Sequence, residues 1–250
     1  MIISHRLKFA FFRVPKTGST TVTLLLRLCG VFDERDIMSP IMGLPSTVPQ
    51  TAVDMAEASV RRVLTELGRD KDANFEQKLG PSVGSHLMHV TPKDAIKYGL
   101  ITLEQLREYR VFAFLRDPWD RNFSAASHAA GAVLSPSIFK QAMKERTKRP
   151  ESYLLMRPAS MYFYVDGEQV TEPLLFDDFD NEVRRLLRIV GGYEFPVIPR
   201  INVGRQKLAN VKKEDFFDEE IRQIFQSELA DDLELYRRVR AERAAVSDNN

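Results

Sequence analysis

The 250-residue chain carries 44% hydrophobic and 28% charged residues, the balance of a folded globular protein, and a chain of this length buries roughly 70–75% of its unfolded surface, which excludes disorder as the main state. Thirty-six basic against 35 acidic residues leave a formal net charge of +1, so no overall field drives non-specific nucleic-acid binding and any anion site must be local. The single cysteine, Cys29, permits neither an internal disulfide nor a cysteine-based zinc cluster, which fits a reducing, cytoplasmic setting.

No stretch approaches the ~20 mostly apolar residues of a membrane span, and Arg6, Lys8, Arg13 and Lys16 interrupt the apolar N-terminus, so it reads as mature structure. Leu7 to Val14 (LKFAFFRV) is apolar almost throughout, the pattern of a strand buried on both faces, and Thr20 to Leu28 reads as an apolar helix. Pro40, Pro45 and Pro49 mark a loop, and an amphipathic helix from about Val53 to Leu67 follows, so residues 36–70 read as a flap. Arg110 to Leu115 (RVFAFL) is a second buried strand with a helix starting at Pro118; Pro173 to Phe176 is a third, followed by a helix over Phe179 to Val190. After Gly191 comes a loop, then a helix with Ile221, Ile224, Phe225, Leu229 and Leu233 at helical spacing. Strands separated by helices predict an α/β fold, a parallel β-sheet flanked by helices, in one domain over residues 1–240 with a fraying tail over 241–250.

The segment FFRVPKTGSTTVTLLL is a strand, a turn and a helix. Gly18 permits the tight turn, the helix start offers free N–H groups and the positive end of its dipole, Lys16 adds a full charge, and Thr17, Ser19, Thr20 and Thr21 add hydroxyls. Such a unit cradles a phosphate; the plainer alternative is a helix capped by Ser19 or Thr20 beside a solvated lysine. The loop of nucleotide kinases and GTPases places its lysine after the last glycine, whereas here Lys16 precedes Gly18. The order resembles the PKTG[GS]T loop of sulfotransferases that use 3′-phosphoadenosine 5′-phosphosulfate (PAPS), in particular the family-2 group with carbohydrate and bacterial members. The resemblance implies a P-loop NTPase-like fold in which Lys16, Thr17, Gly18, Ser19 and Thr20 hold the 5′-phosphosulfate; Ser19 stands where many relatives have a second glycine.

In YRVFAFLRDPWDRNFSAAS, Arg116 sits at the carboxyl end of a buried strand, where open α/β sheets bind ligands. Asp117 suits a helix N-cap, Pro118 a first helical residue, and Asp117 with Arg121, four apart, an ordinary helix ion pair. The block resembles the family's RDPxxRxxS element, which implies Arg116 and Ser124 as ligands of the 3′-phosphate. Trp119 suits either stacking on adenine or a place in the core.

Of the four histidines, His5, His86, His89 and His128, two lie in GSHLMHVTPKDA, ahead of a helix start at Thr91, Pro92 and Asp94. Read as the end of a strand, His86 and His89 point to opposite faces, so one of them faces a site there. Relatives carry a His-x-Thr pattern at this point, which implies His89 as the base that deprotonates an acceptor hydroxyl, with His86 second. A metal-binding pair is the alternative, but no further His or Cys accompanies it, and Asp177, Asp178 and Asp180 fit helix capping better than a metal cluster. LLFDDFDNEVRRLL and PRINVGRQ also resemble family segments, and Arg205 suits either closing over the nucleotide phosphate or an exposed place in the loop. The resemblance implies transfer of a sulfuryl group from PAPS to a hydroxyl, on a carbohydrate or glycoconjugate, with the 3′,5′-bisphosphate PAP as product and no metal. Residues 125–170, with the basic stretch KERTKRP, are the candidate acceptor region. A P-loop kinase, or a non-catalytic binder of nucleotides or sulfated glycans, is the rival reading.

Overall fold

Two short apolar runs open the chain as an antiparallel hairpin, β1 (Ile2–Ser4) and β2 (Phe9–Phe12), in which Ile3 lies opposite Ala10. The computed structural model describes residues 1–29, 37–38, 89–130, 135–148, 157–199 and 213–247. After the hairpin come α1 (Ser19–Leu28), β3 (Ile37–Met38), α2 (Pro92–Lys97), α3 (Leu103–Glu108), β4 (Arg110–Leu115), α4 (Pro118–Ala130) and α5 (Pro136–Lys148). A small hairpin, β5 (Tyr164–Val165) with β6 (Glu168–Gln169), precedes β7 (Glu172–Leu175), α6 (Phe179–Gly191), α7 (Glu219–Glu228) and α8 (Ala230–Ser247).

The main sheet has the order β3-β1-β2-β4-β7. Its strands β2, β4 and β7 are parallel, with Phe12 beside Ala113 and Ala113 beside Pro173, and these are the three predicted strands. β1 and β3 add an antiparallel margin that was not predicted, because strands of three and two residues are too short to show a period. Ile37 and Met38 thus belong to the sheet; the remainder of the stretch read as a flap, with its helix from Val53 to Leu67, lies outside the described residues.

Alternation along β2 sends its side chains to two cores. Phe9 and Phe11 join Leu25, Phe112, Phe114, Val183 and Leu187 beneath α1 and α6, while Ala10 and Phe12 join Leu106, Ala113, Leu115, Tyr162, Leu235 and Tyr236 on the face covered by α3 and α8. Full burial on both faces explains the near-continuous apolar runs. A third cluster joins α4, α5 and α7, and the partly buried Trp119 packs against it, stacked on Phe225 with ring centroids 4.1 Å apart.

Two helix ends show the expected chemistry. Thr91 caps α2 by accepting from the Asp94 N–H at 3.1 Å, and Gly192 closes α6 at φ 70. Helix α8 runs to Ser247, through residues expected to fray, and its Arg243 lies 3.4 Å from Glu182. Among the described residues no helix is long and apolar enough to cross a membrane.

Candidate active site

Because β2 and β4 are parallel neighbours, their carboxyl ends lie side by side and the loops that leave them meet. The first loop, residues 13–18, turns through two left-handed positions, Lys16 at φ 65 and Gly18 at φ 70, before α1 begins at Ser19. Gly18 is required twice over: a Cβ there would stand 2.6 Å from Cε2 of Phe179, besides the cost of the positive φ. Thr17 is fully buried and its hydroxyl donates to the Val14 carbonyl at 2.8 Å, so it braces the turn from within and has only its N–H to offer an anion. The hydroxyl of Thr20 accepts from Nη2 of Arg13 at 3.3 Å, and Ser19 is buried at the first turn of α1.

Lys16 is held below the usual lysine range by burial and by the neighbouring charge of Arg116. The two predicted anion elements therefore converge. Nη1 of Arg116 donates to the Lys16 carbonyl at 3.0 Å, and the guanidinium lies 4.6 Å from the Phe176 ring centroid. Burial lowers the Arg116 pKa, opposed by the charges of Asp120, Asp117 and Asp177, and its Nε is buried without a hydrogen-bond partner.

Asp117 caps α4 as predicted, accepting from the Asp120 N–H at 3.0 Å. Its expected ion pair with Arg121 is not formed. Arg121 turns instead into the interior, fully buried, where Nε donates to the Pro15 carbonyl at 3.3 Å and Nη1 stands 3.6 Å from Asp232 on α8. The fully buried Asp232, rather than the half-buried Asp117 already engaged as a cap, compensates the desolvated guanidinium. Ser124 is half-buried one turn beyond Arg121 on the same helix face, and His128 follows one turn later. The charge of Lys16, then partial burial, lowers the pKa of His128, so this histidine belongs to the site's electrostatic surroundings. It carried no motif, but its place four residues after Ser124 was the available signal.

His89 lies in a turn just before α2, not in a strand, and reaches the anchor of the first loop: its Nδ1 is 2.7 Å from the Arg13 carbonyl oxygen. A carbonyl only accepts, so Nδ1 carries the proton and Nε2 the lone pair. Burial pushes the imidazole pKa down to about 3; the bond to Arg13 opposes this, and the charges of Arg13, the N-terminus and Arg121 add to it. The Tyr162 hydroxyl donates to the His89 carbonyl at 3.0 Å and fixes the backbone there. His86 and Arg205 lie outside the described residues.

Asp178 occupies the N-cap position of α6 without the expected side-chain capping bond, and Asp177 accepts from the Tyr236 hydroxyl at 2.5 Å. Among the described residues no group of three or more His, Cys, Asp or Glu side chains is gathered as a metal site would need.

Residues 1–191 match the model of the sulfotransferase family, and the chain belongs to that family. Its mixed sheet, with β2, β4 and β7 parallel and helices on both faces, is the α/β arrangement expected. Among solved structures, the chain is similar to a sulfotransferase from Alicyclobacillus acidocaldarius, at 16% identity and a TM-score of 0.40, over 92% of this chain and 94% of the other. No curated protein matches.

Proposed function

We propose that the protein moves the sulfuryl group of PAPS to an acceptor hydroxyl, on a carbohydrate or glycoconjugate, by in-line transfer, and that the setting is cytoplasmic. The observation that carries this reading is the meeting of Lys16 with Arg116 at the carboxyl ends of β2 and β4, two cations joined through the Lys16 carbonyl. PAPS supplies an activated sulfuryl group on a phosphate leaving group, and PAP is what remains. Lys16 and the N–H groups of Thr17, Gly18, Ser19 and Thr20 face charge that develops on the leaving phosphate. Arg116 and Ser124 take the 3′-phosphate, for which the planar guanidinium offers paired donors. Arg205 is a further candidate ligand of the nucleotide phosphate.

His89 serves as base through Nε2, since the Arg13 carbonyl holds the proton on Nδ1. Its low pKa keeps the ring neutral in the unliganded protein, and a bound polyanion raises its basicity by offsetting the cations around it. His86 is the second candidate. No metal has a role in this scheme.

Calorimetry with PAP, AMP and ATP tests the reading. PAP is expected to bind more tightly than AMP or ATP; equal affinity for PAP and AMP would remove its foundation, and magnesium-dependent ATP turnover would favour a kinase.

A further inference from the structure

Asp232 lies on α8, beyond the stretch that matches the family, yet its carboxylate is fully buried beside Arg121 of α4. One oxygen accepts the Ala159 N–H at 2.7 Å and the other the Ser160 N–H at 2.8 Å. Nη1 of Arg121, equally buried, stands 3.6 Å away. Arg121 itself reaches two further carbonyls, Pro15 in the anion loop at 3.3 Å and Arg157. A buried guanidinium cannot shed its proton, so without the carboxylate it would be an uncompensated charge. Its alternatives are to swing toward water or to draw water in. Either one releases the Pro15 carbonyl, one residue before Lys16.

The geometry points to Asp232 as a positioning residue for the anion loop, acting from α8 through Arg121 on the backbone beside Lys16. Successive carbonyls are then held by the two arginines of one motif, Pro15 by Arg121 and Lys16 by Arg116, so neither carbonyl is left to face a bound anion. The inference rests on the proposed role of this loop as the donor-phosphate site. It makes the C-terminal helix part of that site's support, although α8 supplies no ligand.

Two measurements test it. In the wild-type protein, saturating PAP, or inorganic pyrophosphate as a simpler probe, should slow hydrogen exchange at the Ala159 and Ser160 amides; unchanged exchange there on binding overturns the coupling. In variants, Asp232→Asn should weaken PAP roughly tenfold or more, since small displacements of a positioned loop are costly. Val239→Ala, a buried change on the same helix, should lower stability yet keep affinity. Equal loss in both variants, or wild-type affinity in folded Asp232→Asn, defeats the proposal. If Asp232→Asn does not fold, the paired change Arg121→Met with Asp232→Leu removes both buried charges together and should fold with the same loss of affinity. Wild-type protein that binds pyrophosphate but shows no preference for PAP would defeat the donor reading alone, and the same variants measured with pyrophosphate would still decide the role of Asp232.

Discussion

The guanidinium of Arg116 donates to the carbonyl oxygen of Lys16 at 3.0 Å, joining residues 100 positions apart in the chain. Two elements that each bear a cation are thereby one unit, and repulsion between the cations is relieved when an anion binds. Arg116→Ala should therefore weaken PAP by on the order of 2–5 kcal/mol and abolish most of its preference over AMP. Arg116→Lys keeps the charge but not the fork, so it should recover part of the affinity and little of the discrimination. Calorimetry on both variants checks this; an undiminished preference in Arg116→Ala would mean that Arg116 only ties the loop.

Lys16 and His128 give a test that needs no substrate. The lysine charge is the first cause holding the His128 pKa down, so Lys16→Ala should raise that pKa toward its ordinary value. A bound anion that screens Lys16 should do the same. Titration of the His128 ring by NMR, with and without PAP, reads both effects. Lys16→Ala should also lower sulfuryl transfer by orders of magnitude while the fold survives, because a charge aimed at a leaving group acts most strongly in the transition state.

Gly18→Ala is expected to cost about 1–3 kcal/mol, since φ 70 is strained for alanine and its Cβ would meet the Phe179 ring at 2.6 Å. Denaturant unfolding measures the loss. Phe179→Leu should relieve the contact but not the backbone strain, so the double variant should regain only part of the stability. Full stability in Gly18→Ala would show that the loop relaxes freely.

The parallel half of the sheet and the junctions that bear the site were legible because each depends on a local pattern: apolar runs at β2 and β4, lysine and glycine at the first turn, and Asp-Pro at the start of α4. Convergence of the two motifs came from the strand order, which places β2 and β4 as parallel neighbours with their carboxyl ends together. What escaped was long-range. Arg121 pairs with Asp232 rather than with Asp117 because a buried guanidinium needs a buried counter-charge, and no spacing along the chain records that choice. His89 was chosen through a motif, whereas its contact with the Arg13 carbonyl depends on a turn that its apolar neighbours made look like a strand.

The tautomer and charge of His89 lead to the last prediction. Its pKa of about 3 lies below the ordinary 6.5, so between those values the unfolded chain binds a proton that the folded protein refuses. Stability therefore falls as pH drops from about 6.5 toward 3, and His128, also shifted downward, adds to the fall with the same sign. His89→Gln retains an N–H donor for the Arg13 carbonyl but cannot titrate, so its melting temperature should decline less between pH 6.5 and 5. The same variant should keep PAP affinity nearly intact and lose roughly 10²–10⁴-fold in transfer, the worth of a positioned base. Long-range ¹⁵N spectra near pH 6 should show the proton on Nδ1 and none on Nε2. A proton on Nε2, or full transfer by His89→Gln, would move the proton-accepting role to another group.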